Sequence, residues 1–185
     1  MIKLAIVIGS TRPGRKGEAV AQWVHAAAAR RTDLQAEIVD LATVALPAYD
    51  EPIPPSMGKY THEHTKRWAA TVASYDAFVF VTPEYNHAPP ASLKNALDFI
   101  YGEWNNKVAG FVGYGSLGGA RAVEQLRLIM AGLQVATVRA QVALSLFTDF
   151  ENFSTFKPQA LHDRSMTAMF DQLVAWGGAL KTLRG

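Results

Sequence analysis

Apolar runs of strand length recur along the chain at residues 4–8, 35–41, 75–81, 108–112 and 134–138. Continuous runs rich in Val, Ile and Phe, rather than alternating ones, mark strands covered on both faces, as in a parallel sheet. Between the runs the period becomes helical. Val20, Trp23, Val24, Ala27 and Ala28 repeat at helical spacing after the first run. Trp68, Ala69 and Val72 are the inward positions of a helix over residues 60–74. Leu93, Ala96, Leu97 and Ile100 share one face of a helix over residues 92–101. Val123, Leu126, Ile129, Met130 and Leu133 mark another, ended by Gly132, and Met166, Met169, Phe170, Leu173, Val174 and Leu180 a last one. This alternation predicts an α/β fold with one parallel sheet between two helical layers.

Five strands in this arrangement fit the flavodoxin-like order 2-1-3-4-5, whose ligands sit outside the carboxyl ends of the strands beside the crevice between strands 1 and 3. Three connections reach that edge. The first is Gly9-Ser10-Thr11-Arg12-Pro13-Gly14-Arg15-Lys16-Gly17. It opens a helix, whose first N–H groups and partial positive charge make an anion site. Ser10 and Thr11 add hydroxyl donors, and the forks of Arg12 and Arg15 match phosphate geometry. The loop therefore reads as a phosphate cradle, and the plainer alternative is a turn with solvated basic residues. The second connection is Pro83-Glu84-Tyr85-Asn86, followed by Pro89-Pro90. It offers a ring, open backbone groups and an amide, which suit a flat heterocycle with a polar edge; the alternative is a turn in which Tyr85 packs on the next helix. The third, residues 113–119, reads as a glycine loop letting backbone approach a ligand closely. A phosphate cradle beside loops for a flat ring fits FMN better than a dinucleotide.

Two nucleotide motifs are near misses. Gly9 and Gly14 have Walker A spacing, but Arg15-Lys16-Gly17 displaces the lysine and lacks the magnesium-binding hydroxyl. Gly113, Gly115 and Gly118 match G-x-G-x-x-G, but on the fourth strand. No acidic residue ends the next strand; Arg139 stands there, so an NADP-binding Rossmann protein remains a rival.

Composition narrows the function classes. The chain has 185 residues, 49% of them hydrophobic, enough for a single domain over residues 1–185 with 139–185 as a C-terminal loop and helix. It has no cysteine, which excludes thiol catalysis and thiolate metal sites. A net charge of +2 without a basic block argues against nucleic acid. No run approaches membrane-spanning length and the first residues lack a leader pattern, so a cytoplasmic protein is expected. His62 and His64, two apart, fall on different faces of a helix and are expected on the surface, with no metal site. The proline-rich connection over residues 46–55 is long enough to be functional or part of an interface. Phe147, Phe150, Phe153 and Phe156, three apart, read as an aromatic loop. With Trp104 and the proline-rich loop they are more apolar surface than a small monomer exposes, so a homodimer or tetramer is expected; the alternative is that the tail covers its own core.

Gly9-Ser10-Thr11-Arg12-Pro13-Gly14-Arg15, Pro83-Glu84-Tyr85-Asn86, Leu93-Lys94-Asn95-Ala96-Leu97-Asp98 and Gly115-Ser116-Leu117-Gly118-Gly119-Ala120-Arg121 occur in an order that resembles the NADPH-dependent FMN reductase family, over about residues 2–140. That family includes quinone, azo-dye and chromate reductases. The resemblance implies a flavodoxin-like FMN-binding domain, with NADPH or NADH as co-substrate and a small-molecule electron acceptor. It implies ping-pong hydride transfer from NAD(P)H to bound FMN and on to a quinone, flavin, azo compound or similar acceptor. By the resemblance Ser10, Arg12, Arg15, Lys16 and Gly17 hold the phosphate, Pro83, Glu84, Tyr85 and Asn86 contact the ring, and Gly115, Ser116 and Gly118 lie at its polar side. No catalytic acid or base is named, because the flavin carries the chemistry. Many members have serine and asparagine where this chain has Arg15 and Gly17, which leaves the individual phosphate contacts open. The rival from another class is a flavodoxin-type electron carrier without its own substrate. Such carriers are usually strongly acidic, and this chain has a pI near 8.9.

Overall fold

The computed structural model describes residues 1–184. Its sheet holds β1 (Ile2–Ile8), β2 (Leu34–Asp40), β3 (Ala77–Pro83), β4 (Val108–Gly115) and β5 (Ala136–Ser145), in the order β2-β1-β3-β4-β5. All four pairings are parallel. The helices are α1 (Gly17–Ala28), the short α2 (Leu41–Val44), α3 (Glu63–Ala73), α4 (Ala91–Asp98), α5 (Ala120–Gly132) and α6 (Leu161–Lys181). Two short strands, β6 (Phe150–Glu151) and β7 (Thr155–Phe156), form a separate antiparallel hairpin. Among the described residues no helix is long and apolar enough to cross a membrane.

Period-two alternation sorts each strand between two cores. Leu4, Ile6 and Ile8 of β1 and Val79 and Val81 of β3 face α1 and α6, against Val20, Val24, Met166, Met169 and Phe170. Ala5, Val7, Phe78 and Phe80 face α3, α4 and α5, against Trp68, Val72, Leu93, Leu97 and Leu126. The central strands are consequently apolar over Leu4–Ile8 and Ala77–Val81, which is why they read as unbroken runs. Trp104 is fully buried in the second core, with its ring 4.9 Å from that of Phe78. The expectation that it forms apolar surface is therefore wrong: a turn carries it back under the sheet.

Several boundaries move for definite reasons. β4 runs on through Gly113, Tyr114 and Gly115, so the glycine loop is shorter than the pattern implies. Gly113 and Tyr114 pair with Ala143 and Leu144 and remain in the ladder. β5 extends from the expected 138 to Ser145 across a register shift opposite Ala109–Phe111. The irregularity is stabilised from both layers: Arg127 of α5 donates to the Val138 carbonyl at 2.8 Å, and Gln172 of α6 accepts from the Ala140 N–H at 2.9 Å. Arg139 thus lies inside β5, not at its end, and the strand order is not the Rossmann one. α3 begins at Glu63, so His62 precedes the helix. The His62 and His64 rings then stack at 5.1 Å, half-buried, instead of diverging on a helix surface.

The long connection after α2 is anchored by one carboxylate. Glu51, 7% exposed, accepts from the Thr61 N–H at 2.8 Å and the His62 N–H at 3.0 Å at the start of α3. Burial opposes its charge, but the Thr65 hydroxyl and the His62 and Thr61 N–H groups beside it win and hold its pKa down to about 2. A carboxylate with a depressed folded-state pKa stabilises the fold fully above its unfolded value, and that contribution is lost as pH falls through 4.5 toward 2. Glu51→Gln should cost about 3–4 kcal/mol at pH 7, from ~1.4 kcal/mol per pKa unit. Urea titrations should show the gap to the unmutated protein closing steadily below pH 4.5; a gap independent of pH would mean that the charge is not what anchors the loop.

Candidate functional site

The carboxyl ends of β1, β3 and β4 each open into a loop, and the three loops meet. The cleft between them has a volume of about 240 Å³ and is lined by Arg12, Arg15, Lys16, Pro83, Glu84, Tyr85, Tyr114, Gly115, Leu146 and Phe153. Residues from all three sequence motifs therefore share one wall. Asn86, Ser116 and Gly118 are not part of it, and Ser10 and Gly17 lie just behind it.

The first loop is built around small residues. Gly14 has φ +69°, a left-handed conformation that glycine takes without a steric cost. A Cβ on Gly17 would crowd the Tyr114 hydroxyl at 3.0 Å and Ile8 at 3.1 Å, so glycine lets α1 start close against β4. Ser10 is fully buried; its Oγ accepts from the Arg12 N–H at 3.3 Å and shares a 2.8 Å hydrogen bond with the Tyr85 hydroxyl. That bond ties the first loop to the second. α1 has no side-chain cap, which leaves its first N–H groups open toward the cleft side of the loop.

The two arginines divide their roles. Arg15 is held by Glu18 at 2.7 Å and by Asp40 at 2.6 Å, with its side chain 10% exposed. It joins the start of α1 to the end of β2, and Asp40 also caps α2 through the Ala42 N–H. Arg12 is exposed, and among the described residues its side chain has no ion pair or hydrogen bond; its guanidinium lies 6.0 Å from the Tyr85 ring centroid. Arg12 is thus the cation open to a ligand. Lys16 reaches Ser154 Oγ at 3.1 Å, on the β6–β7 turn.

The second loop is a tight turn. Tyr85 and Ala88 exchange backbone hydrogen bonds of 2.9 and 3.1 Å, and Asn86 and His87 between them have φ 49° and 69°. Two positive φ values are the mark of a type I′ hairpin. Asn86 is exposed at the tip. Glu84 lines the cleft and caps α5: its carboxylate accepts the Arg121 N–H at 3.0 Å and pairs with the Arg121 guanidinium. Burial works against the charge, but these donors prevail and hold the carboxyl below its usual range. Arg121 also contacts His87 Nε2 at 2.8 Å, so the turn is braced on α5.

The third loop departs from its expected role. A Cβ on Gly113 would strike the Gly118 carbonyl at 2.6 Å, and one on Gly118 would strike Ala143 at 2.8 Å. The glycines let the loop fold onto its own strand, and only Gly115 reaches the cleft. Ser116 stands exposed at the loop tip.

Tyr114, Leu146 and Phe153 are wall residues that pattern reading missed. Tyr114 had a signal: Val108, Val112 and Tyr114 share one face of β4, so a longer strand places it beside α1. Its hydroxyl and Arg15 Nε are buried with no hydrogen-bond partner among the described residues. Burial pushes the Tyr114 phenol up, so it stays a donor. Uncapped helix N–H groups and an open guanidinium fit a phosphorylated ligand.

A second depression of about 550 Å³, lined by Asp76, Lys107, Lys181 and Arg184 among others, lies at the amino ends of the strands. Its groups satisfy one another: Lys107 Nζ donates to the Val72 and Ala73 carbonyls, and Asp76 pairs with Lys181 and Arg184. It is structural.

The model of the NADPH-dependent FMN reductase family matches residues 2–149. An NAD(P)H-dependent FMN reductase from a Nectria species is 39% identical over 178 residues, 91% of this chain and 87% of that protein. A 2-hydroxy-1,4-benzoquinone reductase from a Burkholderia species is 31% identical over 144 residues, 72% of this chain and 73% of that protein. Among solved structures, the flavoenzyme NAD(P)H:(acceptor) oxidoreductase FerB from Paracoccus denitrificans superposes with a TM-score of 0.75 at 20% identity, covering 97% of this chain and 98% of its own.

The Glu84 cap makes a ligand-free prediction. Glu84→Gln should lower unfolding stability by about 1.5–3 kcal/mol, the range for hydrogen bonds to a charged group. Arg121→Ala should cost less, because Glu84 keeps its backbone donors on α5. Equal costs for the two variants in urea at pH 7 would mean that the side-chain pair, not the cap, is what matters.

Proposed function

The chain belongs to the NADPH-dependent FMN reductase family, and on that premise we propose that it is an oxidoreductase carrying electrons from NAD(P)H to a quinone-class acceptor with FMN held in this cleft. The observation that supports the reading is the convergence of an uncapped α1, an open Arg12 and the Tyr85 loop on one cleft at the carboxyl ends of the strands. When bound, FMN would supply the redox chemistry, a two-electron exchange between NAD(P)H and the acceptor in ping-pong order.

The protein's part is position and electrostatics. Arg12 and the first N–H groups of α1 hold the phosphate, the stronger contact being the charge-assisted one. Ser10 fixes the loop from behind through Tyr85. Glu84 positions the second loop and does not move protons, since its carboxylate is fully occupied. A cleft of about 240 Å³ is below the usual ~300–1,000 Å³ of a small-molecule site.

Binding and turnover measurements test the reading. The purified protein should show flavin absorbance, and Arg12→Ala should weaken FMN binding about ten- to a hundredfold while riboflavin, lacking the phosphate, is nearly unaffected. Equal losses for both ligands would remove Arg12 from the phosphate site. Steady NADPH or NADH oxidation with a quinone separates an enzyme from an electron carrier. In that assay Tyr85→Phe should keep turnover per bound flavin within about threefold, because Ser10 retains the Arg12 N–H as a partner. A hundredfold fall at full flavin occupancy would give the Tyr85 hydroxyl a part in the chemistry.

A further inference from the structure

The β6–β7 hairpin lies beyond the stretch matched by the family model. Pattern reading takes its phenylalanines together, but the fold separates them. Phe150 is buried and Phe156 packs on Trp23 at 5.7 Å, whereas Phe147 and Phe153 are 66% and 61% exposed. Their rings meet edge to face at 5.6 Å, and Phe153 lines the mouth of the cleft with Leu146.

Phe153 is held there against its own backbone preference. Asn152 and Phe153 are the central pair of the turn, with φ 51° and 54°. Both values are positive, the type I′ pattern in which glycine is favoured at the second position. A bulky residue in this region is an outlier that persists only where the surroundings impose it. The surroundings are on hand. Asp149, 1% exposed, accepts from the Ser145 N–H at 2.9 Å, the Gln159 N–H at 3.1 Å and His162 Nε2 at 2.8 Å, fixing the base of the hairpin to β5 and α6. Lys16 ties Ser154 to the first loop at 3.1 Å. A strained, solvent-exposed ring clamped at both ends and set at the mouth of a cleft serves no core.

We propose that Phe153, braced edge-on by Phe147, is a specificity wall that selects flat aromatic electron acceptors by stacking against them at the cleft mouth. The inference rests on the FMN-dependent reading above. A flat ring buries area against Phe153 and gains ring–ring contact, whereas a small, hydrated inorganic acceptor gains neither. In the net reaction one hydride, with its two electrons, leaves NAD(P)H, one proton comes from solvent, and the quinone becomes a hydroquinone. With ferricyanide as acceptor, each ion takes one electron and a proton is released.

The test uses Phe153→Gly, because glycine suits the turn and the variant should melt at or above the temperature of the unmutated protein. The ratio of kcat/KM for menadione to that for ferricyanide should fall at least fivefold in Phe153→Gly and be kept within twofold in Phe153→Tyr. Independently of turnover, 2-naphthoate should bind the resting flavin-loaded protein at least threefold more weakly in Phe153→Gly. An unchanged ratio, equal losses on both acceptors, or a change confined to the KM for NAD(P)H would overturn the assignment. A melting temperature well below that of the unmutated protein would also overturn it, by showing that Phe153 packs instead of lying free. If the unmutated protein binds no flavin and oxidises NAD(P)H with neither acceptor, the functional reading fails and takes the inference with it. If it turns over both acceptors, only the wall is at issue.

Discussion

Covering the sheet on both faces is the constraint from which the rest of the molecule follows. β1 and β3 lie in the middle of the sheet and bury both sides, so a polar side chain within them would be a buried group without water. Their ladders take up the backbone donors and acceptors, and apolar residues take up the side-chain positions over Leu4–Ile8 and Ala77–Val81, while the buried Thr82 hydroxyl is satisfied by the Pro83 carbonyl. Chemistry is thereby pushed out to where the ladders stop. At the carboxyl ends the chain must turn into helices, and a helix start presents N–H groups that no carbonyl within the helix can satisfy. The cleft between the first, second and third loops is where those unsatisfied groups and the exposed cations collect.

The charges around that cleft are divided between holding the loops and facing outward. Arg15, Asp40 and Glu18 close a network that joins β1's loop to β2's end. Glu84 and Arg121 do the same for β3's loop and α5. Half-buried pairs of this kind are costly to break, because the surviving partner is left unmatched. Arg12, by contrast, has no partner among the described residues and lies in water, where leaving it open costs little. The same residue type one turn apart is structural in one place and available in the other, and the difference is only which carboxylates the fold brings within reach.

Backbone strain is concentrated at the same end of the molecule. The pair Asn86–His87 and the pair Asn152–Phe153 both take left-handed conformations without glycine. Asparagine tolerates that region comparatively well, while histidine and phenylalanine do so only when something holds them. His87 is held by Arg121 and Gln125, and the second turn by Asp149 and Lys16. Each turn trades some local stability for a fixed tip beside the cleft.

What the sequence by itself determined is the architecture and the neighbourhood of the site. Period-two and helical spacing depend only on local geometry, and the unbroken apolar runs of β1, β3 and β4 already imply two-sided burial, hence a parallel sheet and loops gathered at one edge. The basic glycine loop and the Pro83–Asn86 stretch stand out for the same local reason. Ranges were less legible where a long-range contact extends or bends an element. β4 continues through its glycines because β5 is there to pair with them, and β5 continues past Val138 because Arg127 and Gln172 satisfy its irregular carbonyl and N–H groups. Trp104 goes inward because the second core has a space for it. The assignment of individual side chains was decided only in three dimensions. Arg15 and Arg12 are alike in composition and local context, and Glu84 looks as ready to meet a ligand as Tyr85. Which of them is free depends on partners 25, 37 or more positions away, and pairing energies between such positions leave no period in the chain. Phe153 is the extreme case: its turn carries no glycine to announce it, so only the packed tail places its ring at the cleft.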